Sequence, residues 1–230
     1  MKYIFRVIKK SAIFSVVLGS YCIIYAQNIL PPSAKAFKPK VYVGASAGAN
    51  FSKVLFSPSV SQDIKTGALA GITLRCDLEK YAGIQIEFNY SMQGWHERYD
   101  VAKGLKYSKT LHYVELPIMT QLYYEMKRVR FFINAGPKIG YRFKESVIIN
   151  GSEFGEVDKL RHDLHTVQPV EWGLCGGPGV SIRLGDKSLL EVEGRFFYAF
   201  GDVFRTKRVD PYGQASEQVI SGKINYLFRF

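Results

Sequence analysis

After residue 24 this chain has no apolar run long enough to cross a bilayer as a helix, which takes about 20 residues. A helical membrane protein is therefore excluded. Cysteine is scarce, three in 230 residues, and acidic residues are outnumbered, 20 against 31 Lys and Arg, for a formal net charge of +11. Such a balance suits nucleic acid, but the N-terminus carries an export address. Lys2, Arg6, Lys9 and Lys10 form a basic start, Ser11 to Ile24 an apolar stretch, and Ala26 precedes Gln27 at the expected cleavage point. Cys22 does not turn this into a lipoprotein signal, because Tyr21 is too bulky to precede a lipidated cysteine. Residues 1–26 are expected to be a signal peptide, and 27–39 a short periplasmic lead spanning Pro31 to Pro39. Removing the four basic residues of the signal leaves a mature charge of +7. An exported chain meets no nucleic acid routinely, so outer-membrane lipid and lipopolysaccharide are the expected counter-charges. The mature length, about 200 residues, fits one domain.

What the sequence does have is alternation. Reading back from Phe230, every second residue is Phe228, Tyr226, Ile224, Gly222 and Ile220, while Arg229, Leu227, Asn225, Lys223 and Ser221 lie between. A period of two means a strand with one apolar and one polar face. A terminal strand leaves an edge to be hidden, and pairing it with the first strand of the domain would close a barrel. Seven earlier runs share the period. They begin with Val41 to Phe51 and Ala68 to Leu78. The cleanest sets Ala82, Ile84, Ile86, Phe88, Tyr90 and Met92 against Gly83, Gln85, Glu87, Asn89, Ser91 and Gln93. The others cover 106–124, with a bulge expected near Tyr113–Val114, then 129–144, 167–184 and 188–202. Alternation over a dozen residues exceeds the usual strand of about 5–6 and matches tilted membrane strands of about 9–11. The parity places Cys76 and Cys175 on opposite faces, so both are expected as free thiols.

Residues 52–66, 94–105, 145–166 and 203–216 read as long polar loops, whereas 78–81, 125–128 and 185–187 are short. Long loops on one side and short turns on the other are the layout of outer-membrane barrels. The expected fold is all-β, a single eight-stranded antiparallel up-and-down transmembrane β-barrel over 40–230. It would have short periplasmic turns, long extracellular loops and both termini in the periplasm. With apolar positions toward lipid, the lumen receives Arg75, Glu87, Glu115, Arg130, Lys138, Arg142, Glu171, Arg183, Glu191, Glu193, Arg195 and Lys223. Eight strands enclose just enough space for side chains, and acids interleaved with bases there should pair into a plug. Pro117, Pro137 and Pro178 strain this scheme, because a closed barrel has no edge strand for them. Pro137 and Pro178, each after a glycine (Gly136, Gly177), are expected at bulges or strand ends near the rim. Trp95, Tyr99, Tyr107, Tyr113, Tyr198 and Phe200 are assigned to an outer aromatic girdle, and Tyr81, Tyr124, Tyr226 and Phe230 to an inner one.

Other patterns carry less chemistry than they suggest. Gly44-Ala45-Ser46-Ala47-Gly48 matches a nucleophile elbow, but that device needs a strand-to-helix turn. Gly176-Gly177-Pro178-Gly179 opens no helix and so no phosphate cradle. Arg161 to His165 offers two imidazoles and a carboxylate, but in a solvated loop without a rigid frame. Arg205, Lys207 and Arg208 fall where lipopolysaccharide phosphates would lie. No cofactor and no metal is expected.

Several segments resemble the PorT-type outer-membrane β-barrel family of Bacteroidetes. They are Tyr90-Ser91-Met92-Gln93-Gly94, Tyr113-Val114-Glu115-Leu116-Pro117, Gly136-Pro137-Lys138-Ile139-Gly140-Tyr141, Arg195-Phe196-Phe197-Tyr198 and Gly201-Asp202-Val203. The resemblance covers roughly 40–230. It implies that the prolines are tolerated, and it admits a role in type IX secretion, whose components would then be partners. The expected function is non-enzymatic: an integral outer-membrane barrel serving envelope structure, secretion or loop-mediated binding. The alternatives are a narrow channel for small solutes and a lipid A-modifying enzyme built on His112 and Glu115. Tyr226, Phe228 and Phe230 resemble the signal read by the barrel-assembly machinery.

Overall fold

The computed structural model describes residues 37–57, 59–99, 105–150, 168–201 and 214–230. The expected signal peptide, most of the lead, the Arg161–His165 cluster, the Arg205–Arg208 run, and Asp202 and Val203 lie outside the described residues.

Nine strands follow one another: β1 (Lys40–Ser57), β2 (Gln62–Asp63), β3 (Lys65–Asp77), β4 (Ala82–Glu97), β5 (Lys106–Met126), β6 (Val129–Asn150), β7 (Val170–Arg183), β8 (Ser188–Ala199) and β9 (Gln214–Arg229). All pair antiparallel, each long strand with its sequence neighbours, and β9 pairs with β1 from Tyr42↔Arg229 to Ser57↔Gln214. That last ladder closes the ring at eight strands. Two-residue β2 prolongs the line of β3 beside the end of β4, through Gln62↔Glu97 and Asp63↔His96.

Closure removes every sheet edge along the wall, so backbone polar groups are satisfied within it. The strands present their apolar sets outward: Ile72, Phe88, Leu122, Ile133, Trp172, Val192 and Ile224 are all exposed. Inward, Thr73, Arg75, Gln85, Glu87, Gln121, Asn134 and Asn225 are fully buried. A wall apolar outside and polar inside is unstable in water and stable in hydrocarbon. Cys76 faces outward and Cys175 inward, both free.

The strands outrun the expected loops. β1 continues to Ser57, β4 to Glu97, β6 to Asn150, and β9 begins at Gln214. On β1 the alternation does not stop there: Val54 and Phe56 turn inward and Lys53 and Ser57 outward, with Leu55 still exposed, and Val147, Ile148 and Ile149 at the end of β6 are exposed. The expected bulge is also relocated. β5 alternates without interruption, and since His112 pairs with Lys144 and Tyr113 with Arg142, Phe143 on β6 is the extra residue.

The prolines sit mid-strand rather than at the rim. A strand residue directs its N–H toward one neighbour only, so each proline interrupts one ladder and leaves the other in register. Pro117 keeps its pairing with Lys138 while the β4–β5 ladder breaks between Ile86↔Ile118 and Asn89↔Glu115. Pro137 keeps Leu174 and breaks the β5–β6 ladder, and Pro178 keeps Ile133 and breaks β7–β8. Gly136 and Gly177, each just before a proline, lie against the carbonyls of Ile118 and Gly194 so closely that a Cβ would collide with them.

Candidate functional site

Alternate residues of the strands converge inside the wall as tiers of charge. At the end bearing the short turns, Arg130 from β6 makes a bidentate pair with Asp77 of β3, at 2.9 and 3.2 Å, and reaches Glu125 of β5 at 3.3 Å. Arg75 joins Asp77 at 3.3 Å and also pairs with Glu191 of β8, while Arg183 of β7 pairs with Glu125. Three bases meet three acids. Two of the guanidiniums also lie over rings, Arg75 at 4.5 Å from Tyr42 and Arg130 at 4.0 Å from Tyr123.

The middle tier centres on Glu87 of β4. Arg195 of β8 donates to both its oxygens at 2.9 Å, Lys223 of β9 donates at 2.5 Å, and Gln85 and Asn89 donate at 2.7 and 2.8 Å. Glu193 of β8 accepts from Arg195 at 2.8 Å and from Asn134 at 3.0 Å. Four charges cancel across the lumen. Each ion has been taken out of water at a cost of several kcal/mol, roughly, and partners at this distance offset it.

Nearer the long loops, Lys138 of β6 stands between Glu115 of β5 at 2.7 Å and Glu171 of β7 at 2.9 Å, its ammonium 3.4 Å from the centre of the Phe197 ring. The enclosed gap beside it, lined by Gln93, Glu115, Lys138 and Arg195 among others, holds about 10 Å³. That is close to the minimum for a single water.

Above these tiers the lumen gains an apolar cluster, set among the buried charges of Lys109, Glu97 and Glu217. Val54 and Phe56 of β1, Trp95 of β4, and Tyr107, Leu111 and Tyr113 of β5 form one buried cluster, with Tyr99 against its side. Phe56 meets Trp95 edge-on at 5.6 Å. Trp95 and Tyr107 are each 2 % exposed, so three side chains assigned to an outer girdle, Trp95, Tyr107 and Tyr113, are inside the barrel. The parity of β4 already assigned Trp95 to the lumen; on β5 the bulge expected near Tyr113–Val114 would turn Tyr107 and Tyr113 outward, and its actual place on β6 keeps them in. The outward aromatics at this level are Trp172, Tyr198 and Phe200, with Phe200 5.3 Å from Trp172 and 6.0 Å from Tyr198. At the opposite end, Tyr81 stacks on Tyr124 at 6.4 Å, and Tyr226, Phe228 and Phe230 point outward.

Of the twelve lumen charges expected, ten are buried; Arg142 is half-buried and Arg183, at the turn end, is partly exposed. Sequence reading missed Asp77, Glu125 and Glu217 as lumen carboxylates. Asp77 lies two residues past Arg75 on the same face. Glu217, which accepts from the Tyr113 hydroxyl at 3.2 Å, extends the odd set of β9 back to the edge of the expected 203–216 loop.

The wall separates His112 from Glu115. His112 faces outward with Nδ1 2.8 Å from the Tyr90 hydroxyl, and Glu115 faces the lumen. Ser46 lies mid-strand in β1 opposite Gly71, and Gly176 to Gly179 lie within β7. Among the described residues no group of three or more His, Cys, Asp and Glu side chains is arranged to hold a metal. At the long-loop rim, exposed Asp63 accepts from Arg98, and that hydrogen bond holds its carboxyl below the usual range.

Residues 26–205 match the family described as outer membrane protein beta-barrel domain. Among solved structures, the outer membrane protein OprG of Pseudomonas aeruginosa is similar at 10 % identity and a TM-score of 0.54, over 85 % of this chain and 98 % of that one. A major outer membrane protein of Thermus thermophilus is similar at 14 % identity and 0.48, over 84 % and 100 %. Outer membrane protein W of E. coli is similar at 14 % and 0.45, over 83 % and 97 %. No curated protein matches the sequence.

Proposed function

Starting from a chain that belongs to the outer membrane protein beta-barrel domain family, we propose that this is a non-conducting, non-enzymatic barrel of PorT type. It acts as an envelope scaffold whose long-loop end is a binding surface, open to secretion-system components among its partners. The observation that carries this reading is the lumen. Ion pairs span it at successive heights, and the enclosed gap between them has room for about one water. A filled interior leaves the ends and the outer face for function. The orientation belongs to the same proposal: export through a cleaved signal peptide, short turns and both termini in the periplasm, and long loops outside among lipopolysaccharide. The outward row Tyr226, Phe228 and Phe230 on closing strand β9 is assigned to recognition by the barrel-assembly machinery.

Planar-bilayer recording of the refolded protein tests the core of this reading. Conductance at background is expected, and reproducible open-channel steps would replace the scaffold with a pore. The accessory role is checked in a deletion strain, where loss of type IX cargo secretion is expected and normal secretion removes that role. Lipid A mass spectra unchanged by the deletion are expected, and a lost modification would make the protein an enzyme.

A further inference from the structure

The outer wall is not uniform at the short-turn end. Between the feet of β4, β5 and β6 lies a shallow groove of about 470 Å³, with Tyr81, Leu122, Tyr124, Phe131 and Ile133 outward along it. Its lining is almost wholly apolar, and the Tyr81–Tyr124 stack forms one wall. The turn above Tyr81 is fixed, since Tyr123 donates its backbone N–H to the Tyr81 carbonyl at 2.9 Å and its hydroxyl to the Glu79 carbonyl at 2.6 Å. The two turns that edge this groove carry three exposed bases against one exposed acid, Glu79. Lys80 lies 5.0 Å over the Tyr81 ring, and exposed Lys127 and Arg128 make the two-residue turn between β5 and β6. The one acid within that tight turn's reach, Glu125, is already engaged by Arg130 and Arg183. Elsewhere on the outer face, a smaller depression of about 140 Å³ lies among Ile72, Leu74, Phe88 and Leu116, midway along the strands and away from the turns.

An apolar trough in a lipid-facing wall, ending at exposed cations, complements an amphiphile with a chain and an anionic head. We propose that this corner binds an anionic phospholipid of the periplasmic leaflet, one acyl chain lying along Tyr81, Tyr124 and Phe131 and the phosphate held by Lys80, Lys127 and Arg128. This rests on the orientation proposed above, which puts the short turns against the phospholipid leaflet. A cation near a charged bilayer surface adds roughly a fivefold gain in affinity for anionic headgroups. Three of them therefore distinguish this site from ordinary solvation by lipid.

The test is native mass spectrometry of the full-length refolded protein in detergent, offered phosphatidylglycerol, phosphatidylcholine of matched chains, and lipid A. Wild type is expected to retain phosphatidylglycerol at least fivefold over phosphatidylcholine, roughly the contribution of a single cation. The triple variant Lys80→Gln/Lys127→Gln/Arg128→Gln should bring that ratio near one, and Tyr124→Ala should lower retention of both phospholipids alike. Lys187→Gln, on a different turn, should leave the ratio unchanged. Equal retention by wild type, an unchanged ratio in the triple variant, an equal loss with Lys187→Gln, or preference for lipid A would each overturn the site. Heat-modifiable migration confirms that each variant is folded. The measurement does not depend on orientation in a cell. Protease accessibility of the loops in intact cells tests that separately, so the two failures are distinguishable.

Discussion

Midway along the strands the inward side chains are Glu87, Asn134, Arg195 and Lys223, and the outward ones are Ile72, Phe88 and Ile224. Toward the long loops, on β1, β4 and β5, inward side chains include Val54, Phe56, Trp95 and Leu111, while Lys53 and Lys106 face outward beside Leu55. Backbone geometry is continuous between the two regions and only the distribution of polarity reverses. The reversal tracks the medium outside. Where hydrocarbon surrounds the wall, apolar side chains are placed outward and the polar ones must satisfy one another within. Where water surrounds it, burial of apolar area favours the inside again. On β1, β4 and β5 the long-loop end packs apolar side chains inward, as a soluble barrel does, while the rest of the wall is built like a membrane one.

This comparison can be tested directly. The largest effect is expected for Glu87→Leu, which leaves Arg195 and Lys223 buried with Glu193 alone between them. The cost should be about 3–5 kcal/mol, read as a lower urea midpoint for unfolding in detergent, and a loss below about 1 kcal/mol would mean the tier is hydrated rather than locked. Trp95→Ala removes the largest side chain of the apolar cluster and should cost about 3 kcal/mol while leaving conductance at background, since the ion pairs lie below it. If that variant conducts, the apolar mouth is the seal. Placing one charge on the outer wall at two heights measures the reversal itself. Ile72→Lys faces hydrocarbon and should cost about 2–4 kcal/mol, whereas Leu55→Lys, near the outer end of β1, should cost about 0–1 kcal/mol. Equal costs would mean that the membrane boundary is misplaced. Gly136→Ala, pressing a methyl on the Ile118 carbonyl where the ladder is already broken, should cost about 1–3 kcal/mol, checked by the same unfolding curve. The smallest effect belongs to Phe230→Ala, outermost on β9, expected to lower the amount assembled in the membrane with little change in the midpoint. Normal assembly would remove the recognition role of Tyr226, Phe228 and Phe230.

Much of this was legible from parity. Glu87, Glu191, Glu193, Lys223 and Arg195 are placed in the lumen by counting in twos, because a strand has no other choice of face. Errors arose where residue type was allowed to outrank the count. Trp95 looks like a girdle aromatic, yet it is an odd residue on a strand whose odd residues face in, and Tyr107 faces in because the bulge lies on β6 rather than β5. Asp77 could have been found within the second run, on the face of Arg75, and Glu217 by extending the count back along the last strand. The prolines could not have been placed that way. Whether Pro137 costs a ladder bond depends on which neighbour its missing N–H would have faced, and that is a property of register between strands.

The sequence by itself determined eight alternating strands, their order, and which side chains share a face, because the period of two is a local consequence of the extended backbone. Only the tertiary structure decided which acid meets which base, and where along β1, β4 and β5 apolar side chains turn inward. Arg195 and Glu87 lie 108 residues apart, and no local pattern encodes their meeting. It follows from closing β9 onto β1 with one register, which brings distant charges to the same height and leaves them no water to use instead.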